Sequence, residues 1–198
     1  MAEAGRVIAG SAKGIRLRAP GPGTRPIADR VKQTLFAILE PDLRGARFLD
    51  LFAGSGAAGI EALSRGAAAA TFVERDPGAA AVIDENLRAT HLTDLATVIR
   101  HDAGRWLDGG PFAAPFDLVV VDPPYAETGL LAAVLAALGR PDGPLADDAR
   151  VVAKHFWRDR PPERIGMLAI ERERRFGETA LTFYRRSERS EPRMSDPA

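Results

Sequence analysis

The chain predicts an α/β fold: a mostly parallel sheet of seven strands covered by helices on both sides, closed by an antiparallel hairpin and preceded by a short β-hairpin extension. Three observations support this. Strand-like apolar runs alternate with segments of helical period from residue 47 to residue 155. The run Phe116-Asp117-Leu118-Val119-Val120-Val121 carries three consecutive valines, as a strand buried on both faces of a parallel sheet does. Toward the C-terminus, two further strand-like runs flank Phe176-Gly177-Glu178, the pattern of a hairpin.

Taken in order, Arg6-Val7-Ile8-Ala9 and Ile15-Arg16-Leu17 read as two short strands, with Gly10 and Gly14 bracketing their turn. Residues 1–26 form this basic hairpin and a proline- and glycine-rich linker. The main domain spans residues 27–186. Its first helix, 28–39, puts Val31, Leu35, Ile38 and Leu39 on one stripe and leaves Arg30, Lys32 and Gln33 outside it. Strands follow at 47–51, 69–74, 97–100, 116–121 and 150–155, with helices at 57–65, 78–89 and 130–138 between them. The closing hairpin pairs 167–171 with 180–184. Residues 187–198 are polar, include two prolines and are expected to be disordered.

At 198 residues the chain suffices for one ordinary domain with extensions, and its 45% apolar and 27% charged composition is that of a soluble globular protein. No apolar run approaches the roughly 20 residues that span a bilayer, and the first residues hold no secretory h-region, so a cytoplasmic protein without membrane contact is expected. It has no cysteine, which excludes disulfides, zinc–thiolate sites and a thiol nucleophile. His91, His101 and His155 lack ligand spacing, and no metal site is expected. Net charge is zero but uneven. Between Gly5 and Lys32 stand Arg6, Lys13, Arg16, Arg18, Arg25, Arg30 and Lys32 against the single acid Asp29. Such a cluster reads either as a phosphate-docking arm or as a solvated extension.

Two motifs carry chemistry. In the first, Asp50-Leu51-Phe52-Ala53-Gly54-Ser55-Gly56-Ala57-Ala58-Gly59, a strand gives way to a helix. Gly54 and Gly56 permit a tight turn open to a ligand, and Gly59 permits close helix–strand packing. Glu74 ends the next strand, where a ribose-binding acid belongs. A pyrophosphate dislikes the carboxylate of Asp50, whereas a methionine ammonium or sulfonium welcomes it, so S-adenosylmethionine is favoured over a nicotinamide dinucleotide. Asp102 either caps an adenine amino group or is the N-cap of a helix starting at Ala103. The second motif is Asp122-Pro123-Pro124-Tyr125. The prolines stop the strand ladder and make a stiff corner at the carboxyl end of a central strand, where open α/β sheets bind ligands. One carboxylate, carbonyls without local donors and one aromatic ring suit a planar base gripped by its amino group. An ordinary Asp has a pKa of about 3.9, so Asp122 is expected to be ionised.

Together these residues resemble a Rossmann-like class I S-adenosylmethionine-dependent methyltransferase, and more closely the RsmD family of 16S ribosomal RNA (guanine-N2)-methyltransferases. The resemblance rests on Arg6-Val7-Ile8-Ala9-Gly10, the stretch from Thr24 to Phe36, the stretch from Leu49 to Gly66, and Asp122–Tyr125, and it extends from Arg6 to about Arg185. It implies catalysis by Asp122, Pro123, Pro124 and Tyr125. It implies S-adenosylmethionine held by Asp50, Phe52, Ala53, Gly54, Ser55, Gly56, Glu74, Asp102 and Ala103, with S-adenosylhomocysteine as product. Lys13, Arg16, Arg25 and Arg30 are the expected RNA contacts. The implied substrate is guanine 966 of 16S rRNA in an assembling 30S subunit, with ribosomal proteins nearby, and a monomer is expected. A DNA adenine-N6 methyltransferase uses a similar corner, and a nicotinamide oxidoreductase would explain the glycines and Glu74 but not Asp50 or Asp122–Tyr125. The chain departs from the family pattern at Ile27 and Ala28, where hydroxyl residues are usual. It departs again near Lys154, where a Glu is common, and Lys154 receives no role.

Overall fold

Residues 3–21, 28–110, 112–124, 127 and 129–187 are described in this computed structural model. A small sheet joins β1 (Glu3–Arg6) and β2 (Arg16–Arg18) antiparallel. The main sheet contains β3 (Arg47–Leu51), β4 (Ala69–Glu74), β5 (Ala96–Arg100), β6 (Phe116–Val121), β7 (Leu145–Phe156), β8 (Arg164–Ile165), β9 (Leu168–Phe176) and β10 (Thr179–Arg186). Its spatial order is β5-β4-β3-β6-β7-β10-β9-β8. The first five of these run parallel and the last three antiparallel.

Strand order reverses between β3 and β6: the chain winds outward from β3 through β4 to β5, then returns to β3's other side. Such a reversal opens a crevice beyond the carboxyl ends of the two strands, because their crossovers leave on opposite faces. The two motifs flank that crevice.

The layers follow from alternation along the strands. On one face, Phe48, Phe72, Val120 and Phe183 pack against α1 (Asp29–Leu43), α2 (Ala57–Ser64) and α3 (Pro77–Thr90). On the other, Leu49, Leu51, Val119, Val121 and Tyr184 pack against α4 (Ala103–Asp108) and α5 (Leu130–Leu138). Among the described residues no helix is long and apolar enough to cross a membrane.

Several elements differ from expectation for physical reasons. The sheet has eight strands rather than seven, since the two residues of β8 pair with Leu168 and Ala169. β1 lies at Glu3–Arg6 rather than 6–9 because the N–H groups of Ile8 and Ala9 go to the Glu61 carboxylate at 2.7 and 3.0 Å. α1 runs on to Leu43 through Pro41, as Leu43 extends the buried stripe. β9 continues to Phe176, held by backbone pairing with β10 although its charged residues carry no apolar alternation. Lys32, expected outside the helical stripe, is fully buried, and its Nζ donates to the Arg6 carbonyl at 2.5 Å and faces Glu61 at 3.6 Å. The linker at 22–26 and the tail at 188–198 lie outside the described residues.

Candidate active site

After Asp50, near the end of β3, the chain turns through left-handed conformations at Phe52 (φ 63°), Gly54 (φ 55°) and Gly56 (φ 75°). A non-glycine residue there is strained, and surrounding bonds must hold it. The N–H groups of Phe52 and Ala53 both donate to the Val73 carbonyl, at 3.1 and 3.2 Å, and Gly56 N–H donates to Ala53 at 2.7 Å. The turn is thereby locked to β4. A Cβ on Gly59 would meet the Phe72 ring at 2.3 Å, so the third glycine serves helix–strand contact.

Asp50 is buried, and its Oδ2 accepts the Gly59 N–H at 2.9 Å. It therefore caps α2 from the strand, where the N-cap residue Gly56 offers no side chain. Burial pushes the Asp50 carboxyl up to about 8; the Gly59 N–H pulls it down, while the charges of Asp122 and Glu74 add to the rise. Glu74, at the tip of β4, accepts from Gly54 N–H through one oxygen and from Asp76 N–H through the other, each at 2.9 Å. It joins the glycine turn to the start of α3. Asp102 is the N-cap of α4, accepting from Arg105 N–H at 3.0 Å, and Ala103 is buried behind it. Ser55 is buried, and its carbonyl accepts from Asn86 Nδ2 at 2.9 Å.

Across the crevice, β6 ends and Asp122 N–H reaches back to the Leu51 carbonyl at 3.4 Å. The Asp122 carboxylate is gripped by Lys154 of β7, whose Nζ lies 2.7 Å from Oδ1 and 2.9 Å from Oδ2. Both side chains are largely enclosed, 13% and 20% exposed for Lys154 and Asp122. Burial raises the Asp122 pKa from its ordinary value, and the charge and hydrogen bonds of Lys154 oppose that rise. Lys154 is the site residue that sequence reasoning missed. A lysine inside the apolar run Val151-Val152-Ala153 needs a partner, and that was the available signal.

Beside the corner opens a cavity of about 320 Å³, walled by Pro123, Pro124, Leu131, Phe156, Pro161 and Pro162 and edged by Lys154 and Arg160. An ion pair between Arg75 and Glu127, 2.5 Å apart, spans from the end of β4 to the loop after the corner. Tyr125 lies outside the described residues. Among the described residues no cluster of three or more His, Asp and Glu could hold a metal ion. His155 instead exchanges a 2.8 Å hydrogen bond with Thr182 in the interior.

Three of the four expected docking cations lie among the described residues. Lys13, Arg16 and Arg30 are exposed, while Arg25 is outside the described residues. Arg16 is paired with Glu3 at 2.8 Å, Arg18 with Glu85 at 2.6 Å and Arg6 with Asp29 at 3.7 Å, so the basic surplus is smaller than composition implies. Asn86 fixes β2 beside the glycine turn: it bonds both backbone groups of Arg18 as well as the Ser55 carbonyl.

The family described as conserved hypothetical protein 95 matches residues 5–185. The chain is similar to the ribosomal RNA small subunit methyltransferase D of Escherichia coli strain K12, with 37% identity over 187 residues, covering 94% of this chain and 92% of that one. It is 41% identical over 183 residues to the YlbH protein of Bacillus subtilis strain 168, covering 91% and 98%. The solved structure of yhhF from Escherichia coli superposes with a TM-score of 0.79 at 37% identity, covering 92% and 97%. With the eight-stranded sheet, the switch-point crevice and its two motifs in place, these similarities lead to one conclusion: the chain belongs to the RsmD family, with the Rossmann-like fold of class I methyltransferases.

Proposed function

We propose that this chain methylates ribosomal RNA of the small subunit, moving a methyl group from S-adenosylmethionine to the exocyclic N2 amine of a guanine, guanine 966 of 16S rRNA by the family pattern. The observation that carries the proposal is one crevice with two complementary walls. A glycine turn tied to Glu74 forms one, and Asp122 followed by two prolines forms the other.

The first wall fits the cofactor. Glu74 is an acceptor-only carboxylate beside an open turn, which suits the paired hydroxyls of a ribose. Asp50, Phe52, Ala53, Ser55 and Gly56 surround the remainder, with Asp102 and Ala103 at the next strand end. A cation brought near Asp50 favours its ionised form. When bound, S-adenosylmethionine supplies a methyl group on positively charged sulfur, and S-adenosylhomocysteine, a neutral thioether, is left as the nitrogen–carbon bond forms.

The second wall activates the amine, whose lone pair is delocalised into the ring. Asp122 and the Pro123 carbonyl accept its two N–H groups, favouring a pyramidal nitrogen. Lys154 favours the charged, accepting form of the Asp122 carboxylate against the burial that opposes it. Asp122 then takes up the proton released by the methylated nitrogen, or passes it to water. Positioning of this kind supplies roughly 7–11 kcal/mol. Tyr125 stacks on the base, worth about 1–3 kcal/mol. The cavity beside Pro123 and Pro124 receives a base that has left its stack, so an unpaired guanine is the cheaper substrate. Lys13, Arg16, Arg25 and Arg30 contact phosphates. The enzyme acts as a cytoplasmic monomer on an assembling 30S particle whose ribosomal proteins complete the docking surface.

The test is incubation with labelled S-adenosylmethionine and, separately, small subunits, protein-free rRNA, DNA and protein. Label at guanine N2 of rRNA is expected. Label on DNA adenine, or reduction of a nicotinamide cofactor with no methylation, would overturn the assignment. Asp122→Ala should lower turnover by at least about a hundredfold while calorimetry still detects S-adenosylmethionine binding; undiminished turnover removes Asp122 from the mechanism.

A further inference from the structure

A second concavity, about 590 Å³ in volume, runs between α1 and β9 on the sheet face that packs against α1. Its helical wall is a stripe of α1. Gln33, Thr34 and Ala37 line it, and Arg30 lies one turn before them at the spacing that shares a helix face. Its opposite wall holds Arg172 and Arg174 of β9, both exposed.

Sheet register connects this groove to the catalytic corner. Lys154 of β7 pairs with Leu181 of β10, and Leu181 pairs with Arg174 of β9, so the three residues form one row across three strands. The next row on the same face is Val152, Phe183 and Arg172. Neighbouring strands lie about 4.8 Å apart, which sets Arg174 roughly 10 Å from the lysine that grips Asp122. Leu181 and Phe183 are buried in the same core as α1, so Arg172 and Arg174 stand on the α1 side of the sheet.

The charges in the groove differ in availability. Arg150 at its floor is already neutralised by Asp42 at 2.6 Å and Glu171 at 3.1 Å. Arg172 and Arg174 have no ion pair among the described residues; Arg174 Nη1 donates only to the backbone carbonyl of Glu173. Two uncommitted guanidinium groups facing an uncharged helix wall, polar at Gln33 and Thr34 and apolar at Ala37, Ile38 and Pro41, fit a phosphodiester backbone, since guanidinium binds phosphate oxygens in pairs and carries no base code. Charged residues also protect an open strand from pairing with another chain. β9 meets that role as well, with Glu173 and Arg175 on its other face; what sets Arg172 and Arg174 apart is that both face α1 with no ion pair among the described residues.

We infer that this groove holds the single-stranded RNA next to the target nucleotide, its phosphates contacted by Arg172 and Arg174 and, at the upper end of α1, by Arg30. The inference rests on the proposed rRNA methylation and adds a path for the strand beyond the target base.

The test compares wild type with Arg172→Gln/Arg174→Gln, a pair of exposed changes, using protein-free 16S rRNA over a salt series. The double variant should bind more weakly, and the slope of log affinity against log salt should flatten by about 0.7 for each lost phosphate contact. Arg172→Lys/Arg174→Lys should restore most of the slope. S-adenosylmethionine binding and melting temperature should not change. An unchanged slope in an enzyme that still methylates rRNA overturns the groove alone. A loss seen only with whole subunits, and not with protein-free RNA, assigns the arginines to a ribosomal protein and likewise overturns it. A wild-type protein that neither binds nor methylates rRNA, whether protein-free or within small subunits, overturns the parent proposal instead.

Discussion

Glu61→Gln tests the account of how the N-terminal hairpin is attached. Glu61 is fully buried, and its carboxylate accepts from Ile8 N–H at 2.7 Å, Ala9 N–H at 3.0 Å and Arg65 Nε at 2.8 Å. It also faces Lys32 Nζ at 3.6 Å, and Lys32 is 0% exposed. Burial lowers the Lys32 pKa, with the Glu61 charge opposing that fall, so removing the charge leaves a buried cation without its partner. Breaking one side of such a pair costs about 3–5 kcal/mol. For a domain of this size each kcal/mol moves the melting temperature by about 2–4 °C. The expected fall is therefore roughly 6–20 °C by calorimetry at neutral pH. Adding Lys32→Met should recover a large part of it, because the stranded charge is gone. If Glu61→Gln melts within about 2 °C of wild type, the cost assigned to the buried pair is refuted.

Two further outcomes concern ionisation in the crevice. Lys154→Met removes the cation that opposes protonation of Asp122, so the acidic limb of the kcat/KM profile should move to higher pH; an unmoved limb separates Lys154 from the chemistry. Because the folded Asp50 carboxyl sits at about 8, above its unfolded value, its stabilising contribution is full below about pH 4 and lost as pH rises through about 8. Asp50→Asn, which keeps an acceptor for Gly59 N–H, should gain on wild type in urea melts between pH 5 and 8.5. A constant difference across that range would remove the raised pKa.

What could be read from the residues followed sequence proximity. Glu74 and Asp122 each follow or end a short, continuous apolar run, so the length and composition of those runs were enough to place both at strand ends. Close helix–strand packing at Gly59 followed from the spacing of the glycines, and Phe72 is the strand residue it meets. Lys154 was not legible because its partner is 32 positions away and meets it only once β6 and β7 are neighbours. Lys32 falls outside the apolar stripe of α1, and nothing local shows that Glu61 of α2 and the Arg6 carbonyl enclose it. Charge masked the length of β9, whose Glu171-Arg172-Glu173-Arg174-Arg175 run has neither helical nor strand periodicity in its polarity. The two residues of β8 are too few to carry any pattern.

The division of labour across the sheet has an engineering corollary. The wall suited to the methyl donor hangs from β3 and β4, and the wall suited to the acceptor from β6 and β7, on opposite sides of the point where strand order reverses. On the proposed assignment, exchanging segments after β6 and β7 should admit a different acceptor while the donor's seat keeps its own strands, turn and helix. Changes to the Phe52–Gly56 turn have no such freedom, because its bonds to Val73 and Glu74 would fail together.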